Sequence, residues 1–265
     1  FEAATTAKAP SSCSLGGAAW DCNTLPQQLR RCLSERDLGG GLLYTGLWHG
    51  DVPDGEGVQV WPSGDRYEGD IREGRAHGRG VLTYSNGDRY QGQWVNDQAS
   101  GEGVFTTTDG ASYTGEFLED RQHGKGSEYW PDGRTYCGDY RRGLKHGEGR
   151  LTWSDGSMYM GQFCDDLLSG EGVHRWADGR MYSGQFIGSQ MHGKGIFSFG
   201  DGRMYDGEWD SDRRHGEGTF RWPDGRSHVG GWQQGQRHGL GTYVAADGSV
   251  KTGLWDNGRF IREAT

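Results

Sequence analysis

Residues 205–224 read YDGEWDSDRRHGEGTFRWPD, and close copies of this text return every 23 residues from position 44 onward. A fixed period of this length is the signature of a repeat architecture, so the chain has to be read as an array. Glycine marks the register at Gly46, Gly69, Gly92, Gly115, Gly138, Gly161, Gly184, Gly207, Gly230 and Gly253. Two residues before it stands Tyr in the first eight units, then His228 and Lys251. Two residues after it stands an aromatic residue in every unit but one, where Ile71 takes the place.

Tyr-x-Gly-x-Trp has period two, which puts both rings and the glycine on one face of a short strand. The glycine between them offers bare backbone for a ring to lie against. Each unit continues through a loop, expected to be about five residues long, into His-Gly-x-Gly and a second strand. That strand ends in Asn86-Gly87, Asp109-Gly110, Asp155-Gly156, Asp201-Gly202 or Asp224-Gly225. Such dipeptides supply the positive φ of a tight reversal.

One hairpin is not stable alone, and stacked neighbours bury its aromatic face. The expected fold is therefore all-β. It is an elongated ribbon of stacked antiparallel β-hairpins, nine full units and a final strand over 251–255, with an expected length of roughly 80–95 Å. The expected organisation is an N-terminal arm and helix over 1–43, the array over 44–259 and a tail over 260–265.

The first 19 residues are rich in Ala, Ser and Thr and read as an arm or tether. NTLPQQLRRCLSERDLGGG (23–41) then predicts a short amphipathic helix, N-capped by Thr24, with Pro26 in its first turn and Gly39 to Gly41 as its stop. Leu25, Leu29, Cys32 and Leu33 share one face of it. That face either covers the open first edge of the array or docks a partner or a membrane surface.

Fifty glycines and 32% hydrophobic residues would suggest disorder, but the glycines are periodic, and 11 Trp, 12 Tyr and 9 Phe supply apolar surface. A net charge of −9, with Arg and Glu interspersed, gives no basic face for a nucleic acid. No apolar run is long enough to form a spanning helix. Cys13, Cys22, Cys32, Cys137 and Cys164 include no CxxC pair, so neither a zinc site nor a disulfide framework is expected. The chain begins at Phe1 without a signal-like segment, which reads as a processed or trimmed start.

His77, His123, His146, His192, His215 and His238 form one column. Neighbours in it stand roughly 9–10 Å apart, too far for two ligands of one metal, so they read as loop braces bonded to backbone. Gly188 to Gly195 imitates a phosphate loop, but Gly195 stands where a magnesium-holding Ser or Thr is required. No enclosed pocket is expected on an open ribbon, so no catalytic, cofactor or metal site is assigned.

What varies between units is more informative. Met158, Met160, Met181 and Met204 fall on the face opposite the tyrosines in three consecutive units. They read as an adaptable contact surface, covered either by the chain's own N-terminal segment or by a partner. Trp130, Trp153, Trp176 and Trp222 end second strands in register with the next tyrosines. Beyond internal packing, they offer ring edges to an extended segment or helix of another protein. With Leu29 and Leu33 these are the candidate partner-binding residues.

Tyr-x-Gly-x-Trp, His-Gly-x-Gly and Asp-Gly at constant 23-residue spacing closely resemble the MORN repeat (membrane occupation and recognition nexus). The departures are local: Asp54, Ser100 and Ser169 replace the usual His, and His228 and Lys251 replace Tyr. The resemblance implies a non-enzymatic scaffold or adaptor that positions partner proteins, with possible self-association. It also implies a cytoplasmic place in a cytoskeletal, ciliary or membrane-bound assembly, or an organelle interior if a longer N-terminus is processed. Alternatives are a membrane-surface or phosphoinositide-binding module, which the net charge does not favour, and the targeting part of a larger enzyme.

Overall fold

The computed structural model describes residues 29–264, with side chains from residue 35 onward. It contains one sheet of 21 strands, from β1 (Leu29–Asp37) and β2 (Leu43–His49) to β20 (Val250–Asp256) and β21 (Arg259–Glu263). Each strand pairs antiparallel with the next in sequence, so the topology is an uninterrupted meander. No helix occurs among the described residues.

The third unit shows how the sequence specifies a hairpin. β6 (Arg89–Val95) and β7 (Gln98–Thr106) pair with Gly92 opposite Gly103. The ring of Tyr90 lies across that pair: a Cβ added to Gly103 would stand 2.5 Å from the Tyr90 hydroxyl oxygen. Tyr90 is 2% exposed, and its hydroxyl donates to the Gln93 carbonyl at 3.0 Å. The same three-residue reach is made by Tyr44, Tyr67, Tyr113, Tyr136, Tyr159, Tyr182 and Tyr205. The buried hydroxyl thereby finds its hydrogen-bond acceptor within its own unit.

Rings then join unit to unit. Tyr67 meets Trp94 edge-on at 5.3 Å and Tyr90 meets Trp94 at 5.0 Å. The alternation runs on through Phe117, Tyr140, Phe163, Phe186, Trp209 and Trp232 to Trp255. Edge-to-face pairs at this spacing add about 0.5–1.5 kcal/mol each beyond burial. Ile71 interrupts the ring line, leaving Tyr44 with Trp48.

The first reversal of each unit is shorter than the five-residue loop expected from sequence. Asn96 and Asp97, at φ 50° and 69°, form a two-residue turn between β6 and β7. Positive φ at both positions is the type I′ geometry that follows strand twist. His-Gly-x-Gly therefore sits inside the second strand as a bulge. Gly138 faces Gly149 and Asp139 faces His146, so Gly147 and Glu148 are extra. Gly147 adopts φ 61°, which favours glycine there. The second reversal is a type I turn with a glycine bulge: Trp153 N–H donates to Ser157 O and Gly156 N–H to Trp153 O.

Turn tips also tie one unit to the next. Asp97 accepts the Ala76 amide through Oδ1 at 2.7 Å and returns its own N–H to the Ala76 carbonyl. Asp120, Asp166, Ser189 and Asp212 accept equivalent bonds.

The N-terminal helix is not formed over the described part of its stretch. Leu29–Asp37 is strand β1, and Leu25, Thr24 and Pro26 lie outside the described residues. The exposed edge of β2 carries unpaired N–H and C=O groups, and β1 satisfies them through Leu29↔His49 to Asp37↔Leu43, with a bulge after Cys32. A Gly39–Leu42 turn, in which Asp37 Oδ1 accepts the Gly39 amide, makes that return possible. At the other end β21 pairs with β20 and takes in most of the expected tail.

Two outcomes test this account. Gly103→Ala should cost about 1–3 kcal/mol in denaturant unfolding, because the Tyr90 ring has to move, whereas Thr114→Ala on the opposite face should cost under about 0.5 kcal/mol. His228, fully buried in the ninth tyrosine position, has neither ring nitrogen hydrogen-bonded. Burial, with Arg237 adding to it, lowers its pKa from 6.5 to about 4. The unfolded chain therefore takes up a proton first, and stability is lost as pH falls through the window from 6.5 to about 4. His228→Tyr should raise stability by about 1–3 kcal/mol at neutral pH, and its advantage over wild type should widen in melts taken at acid pH.

Candidate partner-binding faces

Each strand alternates side chains between two faces, and the meander keeps each column continuous along the ribbon. The aromatic face carries the tyrosines and their ring neighbours. Beside them run Trp130, Trp153, Trp176, Phe199 and Trp222, which are packed against the core but only partly buried. These tryptophans stand in the first position of the second reversal, where their N–H closes the turn.

Cations and rings share this rail. The guanidiniums of Arg134, Arg180 and Arg226 lie 5.1–5.3 Å from the centroids of Trp130, Trp176 and Trp222. Each also holds its own turn aspartate, Asp132, Asp178 or Asp224, at 2.7 Å. His174 is stacked between Trp153 at 5.0 Å and Trp176 at 4.1 Å. Desolvation among these rings lowers its pKa, against the opposing pull of Asp155.

A further column on the same face sets its relief. Ala76 and Ala99 stand opposite Ile71 and Trp94, where later units carry Gln122, Lys145, Leu168, Met191, Arg214 and Arg237. The small residues leave notches of about 430 Å³ beside Ala76 and about 410 Å³ beside Ala99. Trp61, Leu82 and Trp94 line the first, and Tyr84, Phe105 and Phe117 the second. In the middle of the ribbon the face is polar instead. Tyr140 donates to Glu128 at 2.8 Å, and Lys145 lies 3.6 Å from Glu128 and 3.7 Å from Asp166.

The opposite face holds the methionines. Met158, Met181 and Met204 are half-buried and occupy equivalent positions one repeat apart, while Met160 is 54% exposed. Arg175 and Ser198 stand between them in the cross-strand register and Thr152 and Arg221 flank them, so the structure brings them into one stripe but not into one contiguous Met surface. Val104, Ile196 and Val229 are exposed in columns beside them. Leu29 and Leu33 are strand residues of β1 rather than helix residues.

The histidine column does not bond to backbone through its rings as expected. The carbonyls of His123, His192 and His215 accept a tyrosine hydroxyl at 3.3–3.4 Å, while Nδ1 of His77, His123 and His215 is buried without a hydrogen bond. Nδ1 of His146, His192 and His238 lies 3.3–3.7 Å from Asp165, Asp210 and Asp256. His146, Cys164 and Asp165 bring donor atoms within 4.8 Å of one another. The Arg141 guanidinium already holds Asp165 Oδ1 at 3.1 Å, a cation where a metal would need the carboxylate.

One structural column escaped the sequence reading although its signal was present. Asp70, Gln93, Glu116, Asp139, Gln162 and Gln185 follow the register glycine, and each accepts the amide of the bulged residue nine positions on. Every one carries a side-chain oxygen, whereas the end units have Leu47, Gly231 and Leu254 there.

Against known proteins, the family described as MORN repeat matches residues 44–66, 67–89, 90–112, 113–133, 136–158, 159–179, 182–202, 205–225 and 228–250. No curated protein matches the chain. The solved TCP10 domain of Danio rerio CPAP in complex with a peptide of Danio rerio STIL is similar at 17% identity and a TM-score of 0.46, over 80% of this chain and 96% of that one. The SAS-4 (dCPAP) TCP domain of Drosophila melanogaster, in complex with a proline-rich motif of Ana2 (dSTIL), is similar at 15% identity and a TM-score of 0.33, over 68% of this chain and 86% of that one. Nine consecutive matches at constant spacing, on a sheet whose columns follow the same period, establish that the chain belongs to the MORN-repeat family.

Proposed function

We propose that this chain is a non-enzymatic scaffold that positions partner proteins by taking their extended segments along its aromatic face. The observation that carries the reading is the rail of partly buried rings at Trp130, Trp153, Trp176, Phe199 and Trp222, held one repeat apart by a sheet with bonded turn tips. A rigid row of ring edges supplies large contact area at small entropic cost, which is the usual composition of a binding hot spot. The notches beside Ala76 and Ala99 add depth to the same face. Membership of a cytoskeletal, ciliary or membrane-bound assembly is part of the same proposal.

Crosslinking mass spectrometry in native extract tests the face. Wild type should crosslink to its neighbours through aromatic-face positions. Trp153→Ser/Trp176→Ser should lose at least about tenfold of that capture, as removal of two hot-spot rings implies. Met160→Asp/Met204→Asp should retain it, with both variants showing the wild-type far-ultraviolet spectrum. The reverse result would move the partner site to the methionine face and overturn the proposal.

A further inference from the structure

The column that begins with Ala76 changes chemistry along the ribbon and ends in cations. Lys145, Arg214 and Arg237 occupy equivalent places, opposite Tyr140, Trp209 and Trp232. Lys145 is neutralised by Glu128 and Asp166. The turn arginines of the same face, Arg134, Arg180, Arg203 and Arg226, each hold a turn aspartate. Arg214 and Arg237 have no carboxylate within ion-pair distance among the described residues.

Both are half-buried instead. The Arg214 guanidinium lies 4.5 Å from the Trp232 centroid and 5.1 Å from that of Phe220, and donates to the Gly235 carbonyl at 2.7 Å. The Arg237 guanidinium lies 4.1 Å from the Trp255 centroid and donates to the Gly258 carbonyl at 2.9 Å. A guanidinium has five N–H groups in a planar fork, and a single carbonyl uses little of it. Desolvation lowers the pKa of both, as expected of cations carried into the protein without a counter-ion. They line a shallow cleft of about 370 Å³ together with Trp222, Trp232 and Arg259. On a chain of net charge −9, this is a positive site on the face already assigned to partner segments.

We propose that this C-terminal part of the aromatic face takes an acidic segment of a partner protein, with one carboxylate on Arg214 and a second on Arg237. The proposal rests on the reading of that face as a groove for extended segments, and it supplies the chemistry of the occupant. Repeat geometry sets the spacing. Equivalent positions one unit apart are separated by two strand spacings, roughly 9.4–9.8 Å. Three residues of polyproline II advance about 9.3 Å and return to the same side of the helix, so carboxylates at i and i+3 keep step with the arginines. Three residues of β-strand cover a similar distance but end on the opposite side. Trp232, which stands between the two arginines, suits the apolar residues between the acids.

Fluorescence anisotropy on the purified chain tests this with three labelled peptides of four tripeptide repeats: Glu-Pro-Pro, Gln-Pro-Pro and Lys-Pro-Pro. The expected result is that the Glu peptide binds at least about tenfold tighter than the Gln peptide and loses that advantage as salt rises, while the Lys peptide does not bind. Arg214→Gln/Arg237→Gln keeps a side-chain donor for the two glycine carbonyls and should remove most of the advantage. Arg203→Gln, at a turn arginine that already has its aspartate, should leave it intact. Equal binding of the Glu and Gln peptides would overturn the acidic assignment while leaving the groove reading standing. Failure of every peptide, with the extract crosslinks intact, would have the same meaning. Because the Glu and Gln peptides are compared on wild type, misfolding of the double variant would not remove the test. Displacement of the Glu peptide by an equal concentration of inorganic phosphate would reduce the site to an adventitious ion only and overturn the proposal. So would equal binding of the Glu peptide by the double variant and wild type.

Discussion

The ribbon depends on one contact, the flat approach of a tyrosine ring to two facing glycines. It can form only where both residues lack a Cβ, because a Cβ on the second-strand glycine would enter the ring and one on the first-strand glycine would meet the facing backbone and the tyrosine hydroxyl. Once formed it buries a large apolar surface, and the tyrosine hydroxyl donates to the carbonyl three residues on. The glycine content of the chain follows from this contact and from the turns. It marks where side chains have to be absent, and the chain gains order from it at those places.

That contact is repeated rather than shared, and this shapes the rest of the molecule. Each tyrosine is satisfied within its unit, while the edge-to-face rings and the turn-tip bonds run between neighbouring units. The remaining columns are free to differ, because the hydroxyl bond and the glycine contact of each tyrosine are made without them. The column from Ala76 to Arg237 passes through small, neutral, charged and apolar residues while the pairing beside it stays in register. A repeat of this kind separates the positions that make the fold from the positions that can vary between units.

The sequence was most legible where the period fixed the answer. The sheet, its face alternation and the glycine pairs follow from spacing alone, and the ribbon formed as the spacing required. Reading failed where a local rule met a tertiary one. Leu29, Cys32 and Leu33 have helical spacing, but the open edge of β2 offers a whole row of unpaired backbone groups, and β1 takes the strand conformation that satisfies them. The first reversal looked like a loop because Asp, Ser and Gly cluster before His-Gly-x-Gly. Two residues suffice for the turn, those after it pair regularly with the first strand, and the bulge falls within His-Gly-x-Gly. Tyr140 with Glu128 was hidden for another reason. The pairing is visible only when the column across the sheet is known, and a single chain read along its length does not show it.

The outermost described units depart from the repeat. An array whose every unit offers the same edge would go on adding strands from other copies. Here the terminal units lose parts of the pattern. Trp94, Trp209, Trp232 and Trp255 each donate through the indole N–H to a glycine carbonyl of the preceding unit, whereas Trp48, with no such glycine before it, buries its indole nitrogen without a partner. His228 and Lys251 stand where tyrosines would be, and Leu47 and Leu254 where the bulge acceptor would be. The outermost described strands are rich in arginine, with Arg30, Arg31 and Arg36 in β1 and Arg259 and Arg262 in β21. Charged side chains such as Arg36, Arg259 and Arg262 blunt an open strand edge against further pairing. The outermost described units thus give up a buried tyrosine or a bulge acceptor, positions that the inner units keep.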